Sequence, residues 1–91
     1  MRIRNAIEAK LTEALSPDFL EITDNSNKHA GHSGAHPDGE SHFALVVVST
    51  AFEGLTRVKR QRLVYAALAE EMDNHIHALE LKTQTPSEYK T

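Results

Sequence analysis

Apolar residues fall into three rhythms along the chain. From position 2 to 15, Ile3, Ala6, Ile7, Leu11, Ala14 and Leu15 recur at steps of three and four, with Arg4, Glu8 and Glu13 off that stripe, which is the pattern of an amphipathic helix. Ser16-Pro17 ends it, because proline cannot continue the hydrogen-bond ladder and disfavours the helical conformation just before it. Phe19 to Thr23 alternates, with Leu20 and Ile22 on one face and Glu21 and Thr23 on the other, and predicts a short strand. His42 to Ser49 is nearly continuous in apolar residues and suits the middle of a sheet. After a connection containing Gly54, Leu63, Val64, Ala67, Leu68 and Met72 restore the helical period over about Arg57 to Asp73, as one helix or as a short turn followed by a longer piece. Ile76 to Thr83 alternates again as a third strand. Thr85-Pro86-Ser87-Glu88 is then a capping box, with Thr85 as N-cap, Pro86 at the first helical position and Glu88 reaching back, and it opens a last helical turn near Tyr89.

The order is therefore α-β-β-α-β-α with the central helical segment single or split. The first two strands predict an antiparallel hairpin, and strand, helix and strand predict a right-handed parallel βαβ unit. Together they make an α+β fold: a mixed three-stranded sheet with helices packed on one face. Between the first two strands, about 25–41, the chain holds three of its four glycines and no large apolar residue. Unstructured loops beyond about 12–15 residues are uncommon, so this one is either a flexible hairpin connection or a functional segment.

Composition narrows the chemistry. With 91 residues, one domain is expected. The lack of cysteine excludes disulfides, a Cys-type zinc site, a thiol nucleophile and an iron–sulfur cluster held by the chain's own thiolates. No apolar run approaches the length of about 20 residues that a membrane span requires. Met1-Arg2-Ile3-Arg4-Asn5 leads into no apolar signal segment, and a cytoplasmic location is the expectation. A net charge of -3 opposes a whole-surface affinity for nucleic acid and leaves room for a local basic patch.

Histidine is the unusual component, at six residues, three of which (His29, His32 and His36) crowd into the loop. His29 and His32 form His-x-x-His, from which two imidazoles can reach one borderline metal ion. A glycine-rich loop loses much entropy on closing around an ion, and on spacing alone solvated loop histidines without a ligand are the better reading. His77 opens the third strand with the parity of Leu79 and Leu81, where a partly buried histidine bonded to a backbone carbonyl is the simpler reading. His75 lies near a helix end, where a cation suits the dipole, and receives no site role. Arg57, Lys59, Arg60 and Arg62 cluster at a helix start, where the dipole disfavours cations by about a few tenths of a kcal/mol each. That placement points to an anion, an acidic partner or nucleic acid, or else to a solvated face whose pairs lie elsewhere. No nucleophile–base pair and no phosphate-cradling loop appear, so an enzyme is not expected.

Several of these segments resemble one known family. Glu40-Ser41-His42-Phe43, Val47-Val48-Ser49, Phe52-Glu53-Gly54, Arg60-Gln61-Arg62-Leu63-Val64-Tyr65, Leu68-Ala69-Glu70-Glu71, Ile76-His77-Ala78-Leu79 and Thr85-Pro86-Ser87-Glu88-Tyr89 are similar, in order, to the BolA-like proteins. The resemblance spans nearly the whole chain and implies a single BolA-like domain over residues 1–91. It implies an αββααβα fold similar to class II KH domains. It also implies a heterodimer with a monothiol glutaredoxin that shares a [2Fe–2S] cluster, the sulfur ligands coming from the glutaredoxin cysteine and glutathione. Carried over by motif, the strand ligand is His77 and the loop ligand is His29, with His32 as the alternative. Imidazole ligation raises a cluster's potential and suits relay or regulation. Gln61 stands where many members have histidine, and His36 is an extra loop histidine. The resemblance leaves a second reading, a DNA-binding transcriptional regulator using the KH-like fold and the basic helix. The free chain is expected to be a monomer or weak homodimer.

Overall fold

The structure, a computed structural model, describes residues 2–25 and 42–90. The expected loop, with His29, His32 and His36, lies outside them apart from its first residue. The chain runs α1 (Arg2–Leu15), β1 (Phe19–Asp24), β2 (His42–Val48), a 3₁₀ turn (Thr50–Phe52), α2 (Arg57–Ala67), α3 (Ala69–Asn74), β3 (Ala78–Gln84) and α4 (Pro86–Lys90). The expected order is present. The central helical segment is split, with the longer piece first. The break falls at Leu68 (φ −107°, ψ 19°), which is fully buried and turns the chain so that Met72 and Ile76 also reach the core.

The sheet has the order β1-β2-β3, with β2 antiparallel to β1 and parallel to β3, as the connections predict. Register follows from burial, because a slip of one residue would turn every apolar side chain outward. Ile22, Leu45 and Leu81 form one row across the inner face, and Phe43 pairs with Leu79 beside it. On these rows lie Ile3, Ile7, Leu11 and Leu15 of α1, one residue per turn, together with Val64, Leu68, Ile76 and Phe52. The helices do not all share that face. Phe19 has outer-face parity and stacks on Tyr89 at 5.2 Å between ring centroids, so α4 closes one end of the outer face, over Val48.

Two backbone devices set the connections. Ser16 ends α1 in the left-handed region (φ 43°), its amide donating to the Thr12 carbonyl at 3.0 Å, and Pro17 prevents continuation. Phe52–Leu55 is a type II turn closed by Leu55 N–H on the Phe52 carbonyl (3.1 Å), and its third position, at φ 78°, is Gly54. Thr56 then caps α2 by accepting from the Lys59 amide.

Ser49 joins these parts. It is wholly buried; its hydroxyl donates to the Leu15 carbonyl at 2.6 Å and accepts from the Ala51 amide at 3.1 Å. Its own amide donates to the Gln84 carbonyl and its carbonyl accepts from Phe52 N–H. One residue thereby satisfies an orphan carbonyl of α1, caps the 3₁₀ turn and ties β2 to the end of β3. Ser49→Ala is expected to cost about 1–3 kcal/mol, because it strands the buried Leu15 carbonyl. Urea denaturation measures this, and a loss below about 0.5 kcal/mol, the low end of a typical hydrogen bond, would refute that role.

Candidate functional site

His77 owes its position to what precedes it. The amides of His75 and Ile76 both donate to the Glu71 carbonyl, each at 2.8 Å, which closes the end of α3. Ile76, 4% exposed, then plugs into the core, and the chain emerges at His77 before β3 begins at Ala78. The strand thus starts two residues later than the alternation suggests. His77 is exposed at the sheet end rather than partly buried. Glu71 is itself held: its buried carboxylate receives the Lys10 ammonium at 2.6 Å, bridging α3 to α1. That hydrogen bond, ahead of the opposing effect of desolvation, raises the Lys10 pKa. The second Glu71 oxygen, Oε1, is buried with no hydrogen-bond partner.

Beside His77 stands His42, the half-buried first residue of β2, with ring centroids 6.1 Å apart and planes tilted by 44°. The parallel register sets His42 opposite Ala78 and so next to His77. The Asn25 amide donates to the His42 carbonyl at 2.7 Å. The points where the chain leaves β1 and re-enters β2 are therefore pinned together, at the same sheet end as the two imidazoles. His42 was legible only as part of a sequence motif; its chemical setting depends on a pairing across more than thirty residues. Among the described residues, no group of three or more His, Cys, Asp or Glu is arranged to hold a metal ion alone.

The basic cluster lies at the other end of β3. Arg57, Lys59 and Arg62 are exposed on α2, whereas the Arg60 side chain is only 12% exposed. Arg60 donates to both Glu88 oxygens, at 2.6 and 3.2 Å, to the Leu55 carbonyl at 3.0 Å and, at a long 3.4 Å, to the Thr83 carbonyl. It joins α2, β3 and α4. Glu88 also accepts from the Thr85 amide at 2.8 Å while Thr85 Oγ1 accepts from Glu88 N–H, the capping box read from the sequence. A cleft of about 650 Å³ beside this clamp is lined by Arg57, Arg60, Gln61, Lys82, Thr83 and Glu88. The five residue steps of β3 from Ala78 to Thr83 put roughly 17 Å of strand between the histidine end and this clamp.

A BolA-like protein family model matches residues 11–88. The chain is 46% identical over 88 residues to human BolA-like protein 1 (97% of this chain, 61% of that protein). It is 43% identical over 90 residues to the DNA-binding transcriptional regulator BolA of Escherichia coli strain K12 (99% and 82%). It is 46% identical over 92 residues to SufE-like protein 1, chloroplastic/mitochondrial, of Arabidopsis thaliana (97% and 24%). Among solved structures, BolA1 from Arabidopsis thaliana superposes with a TM-score of 0.82 at 42% identity, covering 94% of each chain. The chain belongs to the BolA-like family. It spans about three fifths of the length of the human relative.

BolA-family proteins are non-catalytic adaptors or regulators, in keeping with the sequence expectation. The cytoplasmic expectation is corrected: the SufE-like relative is a chloroplastic/mitochondrial protein. A composition without cysteine does not select a compartment for a domain that also occurs in organellar proteins. No described helix is long and apolar enough to cross a membrane.

The Arg60 clamp gives a pH signature. Foremost the Arg60 hydrogen bonds, and then the Thr85 amide, lower the Glu88 pKa from 4.5 to about 2. A carboxylate depressed in the folded state stabilises fully above its ordinary pKa and loses that contribution as pH falls through the folded value. The stability advantage of the native protein over Glu88→Gln is expected to be constant above pH 5 or so and to shrink steadily between about 4.5 and 2. Denaturation curves of the two proteins across that range measure it; a gap independent of pH would refute it.

Proposed function

We propose that this BolA-like chain acts in iron–sulfur chemistry by binding a monothiol glutaredoxin and sharing or relaying a [2Fe–2S] cluster. His77 is the imidazole contributed by the sheet, and His29, or His32 in its place, the one contributed by the loop. The observation that carries this reading is the exposure of His77 beside the pinned base of the 25–41 segment, where a second molecule can reach it. The donor chemistry fits the cluster only in part: the chain has imidazoles and no thiolate, so the sulfur ligands have to come from the glutaredoxin cysteine and glutathione. Bound between the two proteins, the cluster supplies redox and iron-transfer chemistry. The chain's own part is to hold an imidazole rigidly at the sheet end, through Ile76 and the Glu71–Lys10 bridge. The free chain, a monomer or weak homodimer in this reading, passes into the heterodimer. Mixing with a monothiol glutaredoxin, glutathione, iron and sulfide is expected to give a heterodimer with histidine-perturbed visible absorption and circular dichroism. His77→Ala should shift both spectra; unchanged spectra would overturn the assignment.

A second reading, DNA binding, is favoured by the name of the E. coli relative. Here the exposed Arg57, Lys59 and Arg62 make the phosphate contacts, and Arg60, engaged by Glu88, shapes the cleft. Three contacts at about -0.9 each predict a slope near -2.7 in log affinity against log salt. The slope should disappear in the Arg57/Lys59/Arg62→Ala variant. Absence of binding to duplex DNA at low salt would remove this reading.

A further inference from the structure

We infer that His42 and His77 together form a two-imidazole site for a borderline divalent cation such as Zn²⁺, built by the sheet rather than by the histidine-rich loop. His42 opens β2 and His77 immediately precedes β3; the parallel ladder, with His42 opposite Ala78, fixes the spacing of the two strands, and the buried Ile76 anchors His77. Two imidazoles about 2.0–2.1 Å from one zinc ion at a tetrahedral angle have ring centroids roughly 5 Å apart. The observed 6.1 Å is reached from that by a small swing of the exposed His77 ring. The backbones are already in place, so binding does not have to order a loop. The donor type sets the ligand class: imidazole suits Zn²⁺, Ni²⁺ and Cu²⁺, whereas Mg²⁺ and Ca²⁺ prefer oxygen. With two protein ligands, the remaining positions fall to water or to groups of another molecule, which makes the site an open, exchangeable one.

This site belongs to the isolated chain and requires neither glutaredoxin nor cluster, so it stands or falls separately from the heterodimer. The test is calorimetric titration of Zn²⁺ into the full chain carrying His29→Asn, His32→Asn and His36→Asn. One Zn²⁺ per chain is expected, and adding His42→Gln or His77→Gln should each weaken binding by at least about tenfold, as loss of a direct ligand exceeds the typical cost of losing a supporting contact. Absence of binding by the loop-substituted chain would overturn the proposal, as would insensitivity to His42→Gln. Imidazole ring resonances of the unsubstituted protein give a measurement independent of any variant's folding. Zn²⁺ should move the His42 and His77 rings with a common saturation, and movement of His77 with His42 unaffected would also overturn the proposal. Failure of the heterodimer spectra to respond to His77→Ala leaves this result untouched.

Discussion

The hydrogen bond from the Ser49 hydroxyl to the Leu15 carbonyl fixes the first helix to the sheet. A helix end buried without a partner for its last carbonyls is unstable, and here the partner is the residue that ends the central strand. Because the same residue also bonds the last carbonyl of β3 and caps the turn leading to α2, four segments share one point of reference. Among the described residues, β2 is the one strand paired on both sides, so a displacement at Ser49 would be felt along both ladders. That end of the molecule is further closed by α4, held down through the Phe19–Tyr89 stack and the Arg60–Glu88 clamp.

The opposite end is built differently. There the chain departs from β1 and returns to β2, and β3 begins outside the core. Order comes from a chain of supports: Lys10 neutralises Glu71, the Glu71 carbonyl gathers two amides, Ile76 is set in the core, and the imidazole of His77 is left outside. An ion pair with one buried partner contributes little net stability, since desolvation of the carboxylate offsets much of the attraction. Its use is positional. The result is a packed base at the sheet end that carries two imidazoles.

Much of this was readable from the residues themselves. The period of Ile3, Ile7, Leu11 and Leu15, the apolar run of β2 and the Thr85–Glu88 capping box are local signals, and each corresponds to an observed element. The family resemblance, confirmed by the match over residues 11–88, was legible because it rests on several motifs in order. Long-range pairings were not. Nothing near Arg60 shows that its partner is Glu88, 28 positions on, so four cations at a helix start read as one patch when one of them is a structural clamp. Likewise the His42–His77 neighbourhood depends on parallel register, which alternation within either strand does not encode. The break at Leu68 is a tertiary effect as well: the helical period continues through it, and the need to bury Leu68, Met72 and Ile76 together bends the chain.

The grip of Arg60 on the Thr83 carbonyl bears on how the molecule behaves in a crowd. β3 is an edge strand, and its outer row of backbone groups is a template on which a stray chain could pair. A guanidinium laid against that margin, with Lys82 in the strand itself, blunts the template with charge. The clamp that orders the C-terminal turn thereby also discourages edge-to-edge pairing at this end of β3.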